Sequence, residues 1–445
     1  MTENPPVGTD LPVLRVAVLG AGTVGTEVLR LIAEQGEDLA HRIGARLEVI
    51  GVAVRDLTRD RGEFVPAGLL TEDAGALVDD ADLVIEVMGG IEPARTLLLR
   101  AMEGGASVVT ANKALLAQEG AELYEAADRH DVDLYFEAAV AGAIPLVRPV
   151  RESLAGDRIQ RVLGIVNGTT NYILDAMTRS GADFGDALAS AQELGYAEAD
   201  PTADVQGHDA AAKASILASL AFHSRVRLAD VYCEGITEVS AQDIAAAARM
   251  GRTIKLLSIV ERVEDESGER ISARVYPALI ADSHPLASVS EAYNAVFIEA
   301  DAAGSLMFYG QGAGGAPTAS AVLGDVVSAA RLRVRGGMGP RESRYAALEV
   351  APLEELRSAF YVSLTVEDRP GVLAEIAGTL SGRGISISTI HQELGRDRSA
   401  DGPATAHIGI STHRALESAM TAALDEFSST VTVLSIDSVL RIEGD

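Results

Sequence analysis

The stretch LRVAVLGAGTVGTEVLRLIAEQ (14–35) restricts the fold more than any other. An apolar run rich in β-branched residues ends at a glycine, which reads as a buried strand. Val24, Val28, Leu31 and Ile32 then recur at helical spacing. Between the two, Gly20, Gly22 and Gly25 fit G-x-G-x-x-G, with Thr23 and Val24 inside the turn. In a strand–turn–helix context these glycines let backbone approach a pyrophosphate, which rests on the helix N-terminus. Without a ligand the same letters would make a plain turn.

Further apolar runs follow at LEVIGVAV (47–54), ADLVIEVMGG (81–90), ASVVTANKALLA (106–117) and DLYFEAAV (133–140), separated by helix-like stretches such as PARTLLLRAMEGG. Strands alternating with helices imply an α/β fold with a doubly wound parallel sheet of the Rossmann type. This domain is expected over 13–145, after a disordered lead at 1–12. At the end of the second strand, VAVRD, Arg55 precedes Asp56. An acid at that place usually holds the ribose of NAD. An arginine there suits the 2′-phosphate of NADP, so NADP(H) is the expected cofactor and NAD(H) remains possible. Arg55 also reads as an ordinary solvated loop charge.

Residues 146–310 mix strand-like pieces with Ala-rich helices, and an α+β domain is expected there. Residues 311–340 open with the small-residue loop QGAGGAPT, continue as a helix and end in a Gly/Arg-rich linker. From 355 to 445 the order is strand, helix, strand, strand, helix, strand, the ferredoxin-like βαββαβ arrangement.

The chain carries 37 basic and 65 acidic residues, a net charge of −28, which argues against sequence-independent binding to nucleic acid. One cysteine, Cys233, allows no intrachain disulfide and no multi-cysteine metal site. The N-terminus has no signal-peptide pattern, and no apolar run is long enough to span a bilayer. The expectation is a cytoplasmic protein with no membrane partner.

Among the 37 basic residues only Lys113, Lys213 and Lys255 are lysines, leaving 37 − 3 = 34 arginines. Arginine keeps its proton near neutral pH, whereas lysine gives one up when burial or a neighbouring cation lowers its pKa. A chain this poor in lysine is expected to keep it where a proton moves or a compact ammonium must fit. Lys113, in VVTANK, follows the C-terminal end of a parallel strand, the edge where open α/β sheets bind ligands. Lys213 lies four residues after Asp209 on one helix face, which is also the spacing of an exposed ion pair. Lys255, in RTIKLLSIV, has apolar neighbours and reads as a lysine snorkelling along a helix.

Four stretches together carry a family resemblance: Asp200-Pro201-x-x-Asp204-Val205-x-Gly207-x-Asp209-x-x-x-Lys213 with Gly195-Tyr196-Ala197-Glu198 before it, NGTTNYIL (167–174), TANK (110–113) and EAAVAGAIP (137–145). The chain resembles the homoserine dehydrogenases, in the monofunctional form that ends in an ACT domain. The resemblance implies NAD(P)H-dependent reduction of L-aspartate 4-semialdehyde to L-homoserine, on the route to threonine, methionine and isoleucine. Lys213 matches the proton donor, Lys113 is a second cation at the nicotinamide end, and Asp209 would orient Lys213 or a water. Two converging ammonium groups would depress one another's pKa.

Glu198 and Asp204 match substrate-binding positions, with Asp209 beside them. Asp200 reads as the cap of a turn before Pro201. Gly315 matches a loop returning to the cofactor. Glu137, Val140, Gly142 and Ile144 match a loop holding a monovalent cation, sodium or potassium, largely through backbone carbonyls; a strand ending in a Gly-Pro turn would look the same.

The 355–445 unit resembles an ACT domain, opening at Thr365-Val-Glu-Asp368-Arg-Pro370-Gly371. Threonine is the implied effector, with Asp368 and Gly371 as first candidates. An oligomerisation module without ligand is the alternative reading of that unit. A homodimer or homotetramer is implied. Another Rossmann oxidoreductase of a small aldehyde or ketone, or a non-catalytic amino-acid sensor, are the competing functions.

Overall fold

The structure, a computed structural model, describes residues 11–266, 268–394 and 404–444. Most of the lead expected at 1–12 therefore lies outside the described residues. The chain forms two compact units that alternate along the sequence. One comprises residues up to 168 with 209–231 and 293–348; the other comprises 169–208, 232–292 and 349–445.

The first unit is built on a six-stranded parallel sheet: β1 (Val13–Leu19), β2 (Arg46–Ala53), β3 (Leu70–Thr71), β4 (Leu83–Glu86), β5 (Ser107–Thr110) and β6 (Leu134–Tyr135), in spatial order β3-β2-β1-β4-β5-β6. Residues 83–86 and 107–110 are buried at every position, as expected of strands covered on both faces. Strand order reverses between β1 and β4, which pair from Val16↔Leu83 to Leu19↔Glu86. That reversal opens a ligand crevice at the carboxyl ends of the two strands.

Helix α1 (Thr23–Ile43) buries Val28, Leu29 and Ile32 against the sheet, as its spacing requires. The later helix Gly315–Arg335 joins the same core through Val322, Val326 and Ala329. A three-stranded antiparallel layer, Ile159–Ile165, Tyr293–Ala300 and Gly304–Gln311, completes this unit.

Two sequence expectations need correction. The strand anticipated over 133–140 is confined to Leu134–Tyr135, and a single 3-10 turn, Glu137–Ala139, follows. Pairing stops there because Glu137 N donates to Asp325 Oδ2 (2.7 Å) instead of to a neighbouring strand. RTIKLLSIV is not helical. It belongs to the fourteen-residue strand Arg252–Asp265, paired antiparallel with Gly268–Ala281 from Arg252↔Ala281 to Asp265↔Gly268. Seven consecutive buried positions, 254–260, hide the alternation that would have marked a strand.

In the second unit that hairpin continues into the C-terminal fold. Val433–Glu443 runs parallel to Gly268–Ala281 and antiparallel to Arg357–Glu367, with Thr405–Thr412 and Ile387–Leu394 beyond. The four C-terminal strands take the order 4-1-3-2 with helices Val372–Gly382 and Glu417–Ser429, so the ferredoxin-like βαββαβ expectation holds. Its core packs Val362, Leu364 and Ile410 of the sheet against Ile376, Leu380, Met420 and Phe427 of the helices.

Candidate active site

The glycine turn follows β1. Gly20 has φ +108, a region open mainly to glycine, and its N–H donates to Ala53 O (3.0 Å). A Cβ on Gly25 would stand 2.1 Å from Gly20 O, so only glycine lets the helix start this close to the strand. Gly22 caps α1 with no side-chain hydrogen bond to the first-turn N–H groups. The helix Gly315–Arg335 also starts without a side-chain cap, at Gly314. It starts against α1: a Cβ on Gly315 would meet Thr23 Cγ2 at 3.0 Å and Thr23 O at 3.1 Å. Two uncapped helix starts side by side leave backbone N–H groups for an anion. The cradle fits a dinucleotide pyrophosphate on Gly20, Gly22, Thr23, Val24 and Gly25, with Gly315 adjoining.

Across the crevice, Glu86 ends β4 fully buried. It accepts hydrogen bonds from Met88 N (2.9 Å) and Gly89 N (3.0 Å), and from Thr110 Oγ1 (2.5 Å) at the end of β5. Asn112 donates to Gly90 O (2.6 Å) and caps the helix Lys113–Arg129 by accepting from Leu115 N (3.1 Å). These contacts clamp the loops after β4 and β5 and fix the position of Lys113. The sequence reading has no place for Glu86, and it includes Thr110 and Asn112 only within TANK, without a role. The signal available for Glu86 was an acid ending the apolar run LVIE.

Arg55 is exposed just past β2 and makes no ion pair among the described residues. Asp56 instead turns back to accept from Thr58 N (2.8 Å) and Thr58 Oγ1 (2.7 Å), which holds its carboxyl below the ordinary carboxylate range. The acid beside the arginine is thus engaged within its own loop.

Asp209 and Lys213 occupy the first turns of the helix His208–Phe222, and both are almost wholly buried, at 8 % and 7 % exposure. The alternative of an exposed surface pair is therefore overturned. Lys213 Nζ donates to Asp209 Oδ2 (2.7 Å) and to Val166 O (2.6 Å), just past the strand Ile159–Ile165. Among the described residues its third N–H has no acceptor. Asn167 Nδ2 also donates to Asp209 Oδ2 (2.9 Å), and Lys113 Nζ forms a short ion pair with Asp209 Oδ1.

Burial alone would push the Asp209 carboxyl up, but the Lys213 and Lys113 ammonium groups outweigh it and hold the carboxyl well below its usual range. One carboxylate thus bridges the two lysines that sequence reasoning singled out. Such a cluster offers a developing alkoxide two positive charges and a proton. Asn167 belongs to the family stretch NGTTNYIL, but its contact depends on a fold that brings residue 167 to residue 209.

The expected cation loop adopts a distinctive backbone. Ala141 and Gly142 have φ +58 and +59, and a Cβ on Gly142 would fall 2.2 Å from Gly312 O. The Glu137 carboxylate is taken up by the backbone N–H groups of Leu146, Val147 and Arg148, so its side chain is not left for an ion. Carbonyl oxygens remain, which suits a hard monovalent cation. No cluster of three His, Cys, Asp or Glu side chains able to hold a metal occurs among the described residues.

In the second unit, Glu198 is exposed, two residues past Tyr196, and Asp204 lies in the short helix Thr202–Val205. Asp200 accepts from Thr202 N (3.1 Å) across Pro201, the turn cap expected of it. Asp368 N donates to Ala404 O (2.7 Å). Gly371, at φ +99, begins the helix Val372–Gly382 with no side-chain cap.

A glycine turn at the switch point of a parallel sheet, with Lys113 just past β5, puts the chain among the Rossmann-type nucleotide-binding proteins. Comparison with known proteins narrows the class. The family model for homoserine dehydrogenase matches residues 145–327, that for the homoserine dehydrogenase NAD binding domain matches 20–137, and the ACT domain model matches 360–413. Homoserine dehydrogenase of Corynebacterium glutamicum is 58% identical over 97% of this chain and 96% of its own length.

A crystal structure of a homoserine dehydrogenase from Thiobacillus denitrificans superposes with a TM-score of 0.90 at 39% identity, covering 97% of this chain and 98% of that one. A hyperthermophilic archaeal homoserine dehydrogenase in complex with NADPH matches with a TM-score of 0.60 at 27% identity, over 74% of this chain and all of that one. The chain belongs to the homoserine dehydrogenase family.

Proposed function

We propose that the chain reduces L-aspartate 4-semialdehyde to L-homoserine with NADPH as the preferred reductant. The observation that carries this reading is the buried Asp209 carboxylate shared by Lys213 and Lys113. When bound, the nicotinamide cofactor supplies the hydride that the aldehyde carbon accepts. Lys213, held by Val166 O and Asp209, directs its remaining N–H at the carbonyl oxygen and protonates the alkoxide as it forms. Lys113 adds a second positive charge, and Asp209 keeps both ammonium groups in place, with Asn167 holding its carboxylate. Glu198 and Asp204 take the substrate's α-ammonium, for which a carboxylate is the natural acceptor.

NADPH is favoured over NADH because Arg55 has no counter-charge among the described residues while Asp56 is occupied by Thr58. Carbonyl oxygens of Glu137, Val140, Gly142 and Ile144 would hold a monovalent cation. Threonine, the end product, would act through the ACT domain near Asp368 and Gly371, as feedback control of threonine, methionine and isoleucine synthesis. We place the enzyme in the cytoplasm as a homodimer or homotetramer; among the described residues, no helix is long and apolar enough to cross a membrane.

The test is NADPH oxidation by the purified protein with aspartate 4-semialdehyde, in sodium and in potassium buffer, with and without threonine, and with NADH in parallel. Turnover with NADPH and inhibition by threonine are expected. Failure to turn over in any of these buffers with either cofactor would overturn the reading.

A further inference from the structure

Lys255 has no part in the chemistry above, yet it is among the most deeply buried side chains of the protein, at 2 % exposure in the middle of an apolar strand. A methionine would fill such a place without the cost of burying an amine, so the amine must serve contacts that methionine cannot make. Its Nζ donates to Val289 O (2.6 Å) and to Asn171 Oδ1 (3.0 Å). Asn171, itself buried, turns its amide nitrogen to Val289 O (3.3 Å) and Glu291 O (3.0 Å). One turn on, Asp175 Oδ2 accepts from Glu291 N (3.0 Å). The helix Gly168–Ser180 is therefore fastened along one side to residues 289–291, and Lys255 decides which end of the Asn171 amide faces it. Burial pulls the amine down to about 8, against a smaller opposing pull from the Asp175 carboxylate.

The other side of the same helical turn carries the loop with Glu198. Thr169 Oγ1 donates to Tyr196 O (2.6 Å). The Tyr172 and Tyr196 rings lie 4.9 Å apart, and the Tyr172 hydroxyl meets Ser190 Oγ at 2.9 Å. The loop is closed by Gln192 Nε2 donating to Glu198 O (3.1 Å).

We infer that Lys255 is a positioning residue for substrate binding: through Asn171 it fixes the helical turn on which the Tyr196–Glu198 loop rests. The inference rests on Glu198 as a ligand of the amino-acid substrate. It explains why this position keeps a lysine. An arginine is too large for the enclosed site.

The experiment is steady-state kinetics of homoserine oxidation with NADP, alongside thermal unfolding, for wild type, Lys255→Met and Thr169→Val. Loss of register in the loop should raise KM for homoserine about ten-fold in both variants, with KM for NADP within about two-fold of wild type and kcat less affected. Homoserine KM unchanged in both folded variants would overturn the inference, as would an equal rise in both KM values, the mark of a general structural role. Should Lys255→Met fail to fold, Asn171→Leu, which removes the amide oxygen that Lys255 holds, decides the matter by the same split. A wild type that does not oxidise homoserine at all would overturn this inference together with the functional reading beneath it, whereas active wild type with unchanged variants overturns only the role of Lys255.

Discussion

Asp209 Oδ2 accepts a hydrogen bond from Lys213 Nζ at 2.7 Å, one helical turn away, with both side chains withdrawn from solvent. Because the carboxyl is held below its ordinary range, this pairing makes stability depend on pH with a definite sign. An unfolded aspartate gives up its proton near 4, and the folded one does so at lower pH, so the unfolded state binds more protons in between. The contribution is fully present above about 4 and falls away as pH drops toward the folded value. Urea midpoints for wild type and Asp209→Asn should therefore differ at pH 6 and converge as pH falls below about 4. A constant gap would show that the carboxylate carries no net stabilising charge.

Arg55 and Asp56 present opposite charges at the end of β2, but only the arginine is without an intraloop partner among the described residues. Replacing it by alanine should raise KM for NADPH about ten-fold or more, the size of a lost charge-assisted hydrogen bond. KM for NADH should stay within about two-fold, since that cofactor lacks the 2′-phosphate. Equal loss for both cofactors would place Arg55 on the shared part of the molecule.

Arg441 sits inside the second unit with Glu417 held by two hydrogen bonds (2.8 and 2.9 Å) and Glu234 by one (2.9 Å), its guanidinium 4.7 Å from the centre of the Tyr276 ring. Arg441→Leu strands the buried Glu417 and should lower unfolding free energy by about 3 kcal/mol. Removing both charges with Glu417→Met added should recover most of that loss, because an apolar pair needs no counter-charge. Chemical denaturation of the three proteins checks both halves. A double variant less stable than the single one would contradict the expectation.

Some of this was readable in the residues and some was not. The glycine turn, the parallel strands and the βαββαβ tail are local patterns, and the structure has each of them. The scarcity of lysine pointed to Lys113 and Lys213, which indeed meet on one carboxylate. Lys255 was misread because a strand buried on both faces loses its alternation, leaving a run of apolar neighbours that suits a helix as well. Glu86, Thr110, Asn112 and Asn167 stayed silent for another reason. The contacts that join them to one another or to the next loop span 22 to 42 residues, and no period of helix or strand brings such groups together. Likewise the strand expected through 140 stops at Tyr135 because of Asp325, 188 residues beyond Glu137.

If Lys213 gives up the proton, an arginine in its place must slow the reaction without disturbing the cofactor. Lys213→Arg keeps a positive charge beside Asp209 but cannot release a proton near neutral pH. With NADPH affinity measured by titration and the fold verified, its kcat for aspartate 4-semialdehyde reduction should fall by about 10²–10⁴ while NADPH still binds as it does to wild type. A folded variant that binds NADPH normally and keeps more than about a tenth of the wild-type kcat would contradict the claim.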